Sequence, residues 1–290
     1  MTSPPAKFLS LDVGGTKIEV CKFDGNYRLL SSNKIATSDF PAGSPEFLRS
    51  IKKMIADNLT PGIDRLGVSF NCIVKDGVIT HSSLLGGPTE YPLVQEFSKE
   101  FGLGVSLEND VNAMALAESR FGQGRDCQSF LLINLGTGLR LSYVVGGKLI
   151  PGFTNNAGEI SQKEEIVPEL NYKSFKIDDF LSGKGVSNIY RELAQKELTA
   201  QQIFSVSKED PIARKTIDIF ISHLARFLAE VSYFYNPQRI ILNGSLKESA
   251  DLFLPQALEI YRRETIGFFQ FQDAVTSSID HAACLGALLS

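Results

Sequence analysis

The sequence predicts an α/β fold made of two halves that begin in the same way. The first half opens with an apolar segment of strand length, Phe8–Val13, followed by a Gly-Gly turn and the alternating segment Lys17–Phe23. The second half opens with a buried strand over Ser129–Leu135, a glycine-containing turn and a returning strand over Leu139–Val145. Helical and extended segments alternate after each opening, which indicates helices packed on a partly parallel sheet.

The elements of the first half follow from apolar spacing and from turn residues. Ser44 as a cap and Pro45 in the first turn begin a helix over 44–58. The Asp-Gly pair at 76–77 predicts a hairpin. Further strands are expected over 65–70 and 104–108, and further helices over 93–101 and 110–121.

The second half contains more helix than the first. A short buried strand is expected over 240–243, and helices are expected over 177–181, 185–196, 200–205, 210–235 and 252–265. The segment 163–177 is polar and without periodicity, so we expect an irregular surface excursion there. No low-complexity linker separates the halves, and we therefore expect them to share a cleft.

Composition and charge exclude several classes of protein. Hydrophobic residues make up 43% and charged residues 21% of the chain, which is typical of a globular protein. The net charge of −4 provides no basic excess for nucleic acid or an anionic membrane. No apolar stretch approaches the roughly 20 residues of a membrane span, and the N-terminus lacks the apolar core of a signal peptide. We therefore expect a cytoplasmic protein that binds neither nucleic acid nor membranes.

The cysteines and histidines are too widely spaced for the common zinc motifs. The four cysteines are Cys21, Cys72, Cys127 and Cys284, and they form no CxxC pair. We expect a reduced set in the cytoplasm and no cysteine-rich zinc site.

The first turn carries residues that suit a phosphate chain. Gly14 and Gly15 would let backbone N–H groups approach phosphates, Thr16 adds a hydroxyl donor and Lys17 adds positive charge. Asp12, at the end of the strand, can hold Mg²⁺ directly or through water. A tight hairpin with a capping aspartate explains the same residues, and both interpretations stay open.

The second turn, with Gly136, Thr137 and Gly138, occupies the same place in the second half. Two such turns would close on a nucleotide from opposite sides, and the pair indicates nucleotide binding more strongly than either turn alone. Neither is a Walker loop, because the Gly-Lys-Ser/Thr that opens a helix is missing.

Two further segments carry carboxylates that could take part in catalysis or in ligand binding. Asp110 follows Asn109 at a junction of strand and helix, where it either caps the helix or acts as a general base, and the two roles are compatible. Asn155 and Asn156 precede Glu159 in a polar loop. Amides beside a carboxylate suit a polyhydroxylated ligand, while an ordinary surface loop is the alternative.

In this order the motifs resemble the ROK family of bacterial sugar kinases, within the actin/hexokinase ATPase superfamily. The resemblance covers residues 8–289 and is carried by LDVGGTK (11–17), LENDVNA (107–113), LGTG (135–138) and GEI (158–160), with weaker matches at 181–185 and 240–245. It implies two ribonuclease-H-like domains with ATP in the cleft between them. The first domain would comprise 1–112 and a C-terminal helix over 281–290, and the second would comprise 113–280.

The resemblance also implies the roles of particular residues. Asp110 would deprotonate a primary hydroxyl, of the 6-OH type, on a hexose or hexose-like substrate that attacks the γ-phosphate of ATP. Mg²⁺ would be held by Asp12 through water. The nucleotide residues would be Asp12, Gly14, Gly15, Thr16, Lys17, Gly136, Thr137, Gly138, Gly183, Asn243, Gly244 and Ser245. The substrate residues would be Ser83, Asn109, Asp110, Asn156, Glu159 and Gln162, and the protein would be a homodimer.

The sequence also departs from the pattern of the family. Members often continue Gly-Glu-Ile-Gly-His into a cysteine cluster that binds zinc, whereas this chain has Gln162 in place of the histidine and no cysteine in 163–177. That zinc site is therefore expected to be absent. Arg140 replaces part of a glycine-rich tail and is expected near the phosphates. Ser82 or Ser83 stands where members of the family usually have an asparagine that contacts the sugar. These changes favour an amino sugar or a cyclitol as substrate, and neutral Gln162 in place of the histidine would suit a cationic amino group better.

Three other functions compete with a sugar kinase. A transcriptional regulator of the family would carry an N-terminal helix-turn-helix, and we expect none because the phosphate strand begins at Phe8. An assembly protein of the actin type would need neither Asn109 and Asp110 nor Glu159. A non-catalytic homologue acting as a sugar sensor stays possible, and ATP consumption that depends on sugar would separate it from the enzyme.

Overall fold

A computed structural model describes residues 4–290, in which strands and helices alternate along most of the chain. The strands are β1 (Phe8–Val13), β2 (Lys17–Phe23), β3 (Leu29–Ala36), β4 (Arg65–Phe70), β5 (Ile73–Lys75), β6 (Val78–Ser82), β7 (Gly87–Tyr91), β8 (Gly104–Asn109), β9 (Ser129–Leu135), β10 (Leu139–Val145), β11 (Lys148–Leu149), β12 (Glu164–Val167), β13 (Lys173–Lys176), β14 (Arg239–Asn243) and β15 (Asp273–Thr276). The α-helices are α1 (Pro45–Asn58), α2 (Leu93–Phe101), α3 (Asp110–Phe121), α4 (Gly183–Ala194), α5 (Ala200–Val206), α6 (Pro211–Tyr235), α7 (Leu254–Glu264) and α8 (Ala282–Ala287). None of the helices within 4–290 has the length and apolar character needed to cross a bilayer.

The chain forms two compact units. The first comprises 4–125, Gly147–Asn156 and Ile279–Ser290, and the second comprises Asp126–Gly146 and Ala157–Ser278. The domain boundary predicted after residue 112 lies inside α3, and the assignment of domains stays a prediction.

The main sheet of the first unit has the strand order β3-β2-β1-β4-β8. β2 runs antiparallel to β1 and β3, whereas β4 runs parallel to β1 and β8 runs parallel to β4. Leu9, Leu11 and Val13 of β1 are fully buried in a core that also takes in α1 and α2. Because β1, β4 and β8 are parallel, their carboxyl ends meet at one edge of the sheet.

The second unit repeats this arrangement, as the two similar openings predict. β10 runs antiparallel to β9, and β14 and β15 follow parallel to β9 in the sheet order β10-β9-β14-β15. The 25-residue helix α6 supplies much of the core on one face of this sheet. The carboxyl ends of β9 and β14 therefore also lie side by side.

Several predicted elements are confirmed with their turn chemistry. The Ser44 hydroxyl accepts a hydrogen bond from the Phe47 N–H at 3.3 Å, and Pro45 is the first residue of α1. Asp76 and Gly77 both have positive φ, 50° and 77°, as a two-residue hairpin turn requires. The helix predicted over 93–101 is α2.

Two predicted helices are wrong in kind or in extent. The segment predicted as a helix over 177–181 forms only a 3₁₀ turn, Ile177–Asp179, and α4 begins at Gly183 with Ser182 as its cap. The helix predicted over 252–265 is α7, which starts at Leu254 after a 3₁₀ stretch. Pro255, which has no N–H to donate, is suited to this first turn.

The segment 163–177 is not irregular, as predicted, but contains the antiparallel hairpin β12–β13. Its turn is closed by two left-handed residues, Asn171 and Tyr172. The hairpin is tied to α6 through His223, whose ring is fully buried. One ring nitrogen lies 2.8 Å from Glu165 Oε1 and the other lies 3.2 Å from Glu169 Oε2. Hydrophobic periodicity could not reveal this hairpin, because His223, the residue that holds it, lies more than fifty residues further along the chain.

Substituting Glu165 should loosen the hairpin from α6. The hydrogen bond from His223 lowers the pKa of the Glu165 carboxyl, so its stabilising effect is present above the ordinary pKa of glutamate and is lost as pH falls through the lowered value. We expect Glu165→Gln to reduce the free energy of unfolding by about 1–3 kcal/mol at pH 7. The difference from the unmodified protein should shrink at acid pH, as measured by urea unfolding at several pH values.

Glu164→Gln is the matched control. Glu164 is the preceding residue, is exposed, and makes surface contacts with Lys176 at 3.4 Å and with the Ser174 hydroxyl at 3.5 Å. An equal effect of the two variants would contradict the role of the His223 contact.

Candidate active site

Polar side chains gather at the carboxyl edge of the first sheet. Asp12 lies near the end of β1, Asn71 directly follows β4, and Asn109 ends β8 before Asp110 opens α3. The register places Asp12 beside Ser69 and Phe70 beside Asn109. Parallel pairing therefore brings residues from three separate segments of the sequence to one place.

Two hydrogen bonds hold the carboxylates of this edge. The Ser69 hydroxyl donates to Asp12 Oδ1 at 2.8 Å, and the Asn71 amide donates to Asp110 Oδ2 at 3.1 Å. Burial raises the pKa of the Asp12 carboxyl to about 7, and the negative charge of Asp110 adds to this rise. The two carboxylates are thus close enough to repel each other in a poorly solvated place.

The prediction that Asp110 is the helix cap is wrong, because Asn109 caps α3 instead. Asn109 Oδ1 accepts hydrogen bonds from the N–H groups of Val111 at 3.0 Å and Asn112 at 3.2 Å, and its amide donates to the Cys72 carbonyl at 2.8 Å. Asn109 keeps a non-helical backbone, with φ −58° and ψ 143°, which lets its side chain fold back over the helix end. Asp110 is the first helical residue, and its Oδ1 accepts an additional bond from Val111 N–H at 3.0 Å.

Sequence reasoning missed three residues of this edge. Ser69 and Asn71 hold the two aspartates, and Glu108 lies next to the cap of α3. Glu108 Oε1 accepts from Asn109 N–H and from the Asn112 amide, while burial raises the pKa of the Glu108 carboxyl. The sequence signal that could have identified these three residues is a polar side chain at the end of a buried strand.

The turn after β1 leaves open space at Gly15. Gly14 N–H donates to the Lys17 carbonyl at 3.0 Å, which closes the hairpin, and Gly15, Thr16 and Lys17 are exposed. A Cβ atom added to Gly15 would meet no atom within 4 Å in the described part of the chain, and Gly15 has no left-handed backbone. Neither packing nor conformation of the isolated fold therefore requires glycine at this position.

The second unit brings three predicted nucleotide loops together. Gly136 N–H donates to the Gly138 carbonyl at 3.0 Å, and Gly183 N–H donates to the Gly136 carbonyl at 2.9 Å. A Cβ atom on Gly244 would lie 2.6 Å from Gly136 N, so the loop after β14 packs directly on the turn after β9. The N-terminus of α4 thus lies beside this turn, in an arrangement that favours anions.

The other predicted nucleotide residues of the second unit differ in their exposure and in their contacts. Asn243 Oδ1 accepts from Gly244 N–H at 2.8 Å, while Thr137 and Ser245 are exposed. Asp178, which sequence reasoning missed, accepts from Leu139 N–H at 2.7 Å. Its carboxylate lies so close to Gly138 that a Cβ atom could not be placed there, so local packing already explains the glycine.

Arg140 binds Glu159, whereas the sequence analysis placed its guanidinium near the phosphates. Arg140 Nε donates to Glu159 Oε2 at 2.8 Å, and a second guanidinium nitrogen contacts Oε1. Both side chains are largely buried, so the charge of Glu159 is offset by a two-point ion pair. The alternation of β10 points residue 140 to the loop that carries Glu159, and the approach of Arg140 to the phosphates stays a prediction.

The other predicted substrate residues differ in their environment. Ser83 and Gln162 are exposed, and it is the neighbouring Ser82 that is buried, donating to the Asn71 carbonyl at 2.7 Å. Within the described residues no donor reaches the buried Oδ1 of Asn156 or of Asn134, a residue of β9 beside the Gly136 turn. Unpartnered buried acceptors of this kind mark places where a ligand can bind.

Comparison with known proteins decides the family. The sequence model described as the ROK family matches residues 8–289. The chain belongs to the ROK family.

Two kinases with similar sequences and one solved structure with a similar fold illustrate what this ROK chain resembles. It is 26% identical to an N-acetyl-D-glucosamine kinase of Haemophilus influenzae, over 87% of this chain and 88% of that protein. It is 26% identical to a beta-glucoside kinase of Listeria innocua, over 97% of this chain and 96% of that protein. A ROK family glucokinase from Streptomyces griseus, solved in complex with glucose and AMPPNP, superposes with a TM-score of 0.79 at 23% identity, with 98% of each chain covered. The predicted α/β fold of the actin/hexokinase type is thereby confirmed.

Replacing Asp12 should stabilise the ROK protein when no metal ion is present. Since the pKa of Asp12 rises from 3.8 to about 7, the folded protein loses stability as pH increases between those values. We expect Asp12→Asn to raise the free energy of unfolding above pH 7 by up to about 4 kcal/mol. This gain in the free energy of unfolding should vanish below about pH 4, where Asp12 is protonated in both the folded and the unfolded protein.

The measurement is urea unfolding in the presence of a chelator across this pH range. Asp57→Asn, which removes an exposed carboxylate of α1 paired with Lys53, is the control and should show no such dependence. A constant difference between Asp12→Asn and the unmodified protein at all pH values would contradict the assignment.

Proposed function

We propose that this ROK chain is an ATP-dependent sugar kinase that phosphorylates a primary hydroxyl, of the 6-OH type, on a hexose or hexose-like substrate. The observation that carries the proposal is the Asp110 carboxylate at the sheet edge, held by Asn71 and lying near buried Asp12. Both relatives named above are sugar kinases by name. A base and an acidic metal ligand at one edge are what phosphoryl transfer to an alcohol requires.

In this proposal Asp110 accepts the proton of the attacking hydroxyl. Its Oδ2 is oriented by the Asn71 amide, and α3 does not depend on it for a cap because Asn109 supplies that. The carboxylate is therefore available to bind a substrate hydroxyl without loss of the helix end. A positioned general base of this kind contributes about 10²- to 10⁴-fold in rate.

The glycine turns would supply the contacts with the nucleotide. Gly15, with open space where a side chain would lie, supports a phosphate contact in the first unit. The Gly136 turn, the start of α4 and Gly244 support a nucleotide contact in the second. Backbone N–H groups and a helix N-terminus bind phosphates without a Walker loop.

The residues at Asp12 fit a magnesium ion. The donors there are carboxylate oxygens, which Mg²⁺ prefers, and burial beside Asp110 makes a bound cation favourable. Asp12 would hold the ion directly or through water, with Ser69 orienting the carboxylate. The ion would supply positive charge that offsets the charge of the phosphate chain.

For the acceptor we propose a neutral amino sugar, such as an N-acetylated hexosamine, with a cyclitol as the alternative. Arg140 offsets the charge of Glu159, so this carboxylate does not favour a cationic amine. Gln162 is uncharged as well, and the buried Asn156 Oδ1 has no partner within the described structure. Such a site suits hydroxyl and amide groups.

A sugar sensor without catalysis is the competing function. It would bind sugar with the same residues and would not consume ATP. We also propose that the protein acts in the cytoplasm, where its free cysteines stay reduced, and as a homodimer, which light scattering would test.

The function is tested by following ADP formation with glucose, glucosamine, N-acetylated hexosamines and cyclitols as acceptors. We expect ADP formation to depend on one of these sugars, with N-acetylated hexosamines preferred over glucose. The variant Asp110→Asn should fold normally and lose about 10²- to 10⁴-fold in kcat.

Asp64→Asn is the control for this variant. Asp64 lies before β4, at the opposite edge of the same sheet, and pairs with Lys7 on the surface. Near-normal turnover in Asp110→Asn would remove the proposed base, and absence of ADP formation with every acceptor would favour the sensor.

A methyl group at residue 15 should obstruct the phosphate chain without disturbing the fold. We expect Gly15→Ala to leave the free energy of unfolding within about 0.5 kcal/mol. Its affinity for ATP, measured by calorimetry, should fall about 10-fold or more, equivalent to a loss of about 1.4 kcal/mol.

Gly267→Ala is the matched control for Gly15→Ala. Gly267 also has no described atom within 4 Å of an added Cβ and no left-handed backbone, but it lies far from the glycine turns in the sequence. Unchanged ATP affinity in Gly15→Ala would show that the phosphates do not approach this turn.

A further inference from the structure

Three side chains that can bind a metal ion converge in the first unit, and the proposed reaction uses none of them. Glu19 and Cys21 alternate along β2 and therefore lie on one face of the sheet, and His281 directly precedes α8. One carboxylate oxygen of Glu19, the Cys21 sulfur and one ring nitrogen of His281 all lie within 4.8 Å of one another. This is close to the spacing of ligands around one small ion.

The three donors are held by well-packed elements. β2 is an inner strand, paired with β1 on one side and with β3 on the other. Cys21 shares a small core with Cys284 and Leu285 of α8. His281 has a left-handed backbone, φ 56°, which is uncommon for residues other than glycine, and its Nδ1 lies 2.6 Å from Glu19 Oε1. The position of the imidazole is therefore determined by the backbone as well as by its contact.

Burial makes a cation at this place favourable. The Glu19 side chain is only 4% exposed, and Cys21 is fully buried. A buried carboxylate needs compensating charge. Lys34 and Lys17 approach Glu19 at 3.4 and 3.8 Å, but both lysines are half exposed and can turn their ammonium groups to water.

A second thiol lies beside this group. Cys284 belongs to α8, one turn after His281, and packs in the same small core as Cys21. Its sulfur lies 3.8 Å from the Glu19 carbonyl. Cys284 is not one of the three donors that lie within 4.8 Å of one another, so the ligand set consists of one sulfur, one nitrogen and one oxygen.

We propose that Glu19, Cys21 and His281 bind a zinc ion, and that the ion fastens α8 to β2. Thiolate and imidazole donors select zinc over magnesium, which separates this site from the oxygen donors at Asp12. Binding would displace the thiol proton of Cys21 to solvent, so the ion adds no redox step. The zinc site whose absence the sequence analysis expected is a different one, in 163–177.

The experiment uses cobalt(II) as a coloured substitute for zinc. Full-length protein is treated with a chelator, desalted and titrated with Co²⁺ while the thiolate-to-cobalt absorption in the near ultraviolet is recorded. We expect one equivalent of Co²⁺ to produce this band and one equivalent of Zn²⁺ to remove it. Zinc should also raise the midpoint of thermal unfolding, because it binds the folded state alone.

Matched variants assign the ligands. Cys21→Ala and His281→Gln should each lose the cobalt band and the zinc-dependent rise in the unfolding midpoint. Metal affinity should fall by more than about 100-fold, which exceeds the loss caused by removing a residue that contacts only a ligand and not the metal. Cys127→Ala and His81→Gln remove the same residue types elsewhere and should keep both effects. Circular dichroism checks folding, and because His281 is partly exposed, His281→Gln remains informative if Cys21→Ala does not fold.

Either of two outcomes would overturn the proposal: no stoichiometric cobalt band in the unmodified protein, or a band that survives in both Cys21→Ala and His281→Gln. Neither measurement depends on kinase activity. Failure of the zinc site and failure of the proposed function are therefore separate results.

Discussion

The meeting of two carboxylates at the carboxyl edge of the first sheet is the constraint on which the site depends. Parallel pairing of β1, β4 and β8 brings Asp12 and Asp110 to the same edge, with β4 between their strands, although almost a hundred residues separate them. Burial of Asp12 beside a second negative charge is unfavourable in the isolated protein, as the raised pKa of its carboxyl shows. Proteins keep such pairs where a cation or a proton transfer makes use of them.

In the second unit, glycine backbone from three segments meets at the turn after β9. Gly136, Gly183 and Gly244 meet because the ends of β9 and β14 are neighbours, and a side chain at Gly244 would clash with the backbone. Backbone groups are thereby placed where a phosphate or a nucleoside can approach them. The two units share a strand order of hairpin followed by parallel strands, yet they use this order for different chemistry.

The sequence predicted most of the fold and the members of the site, but fewer of their contacts. Strand and helix positions were accessible because apolar spacing and turn residues act locally, as at Ser44 and at Asp76. The cap of α3 was misassigned by one residue, since Asn and Asp are equally good caps and only the backbone angles separate them. The hairpin over 163–177 was missed because His223, which holds it, lies on a distant helix.

By itself the sequence determined the repeated α/β plan, the glycine turns and the presence of an Asn-Asp pair at the start of a helix. Only the tertiary structure decided which groups touch: Asn71 on Asp110, Arg140 on Glu159, and the approach of His281 to Glu19. The physical reason is that local preferences depend on neighbours along the chain, whereas hydrogen bonds and ion pairs between distant segments depend on how the strands and helices pack.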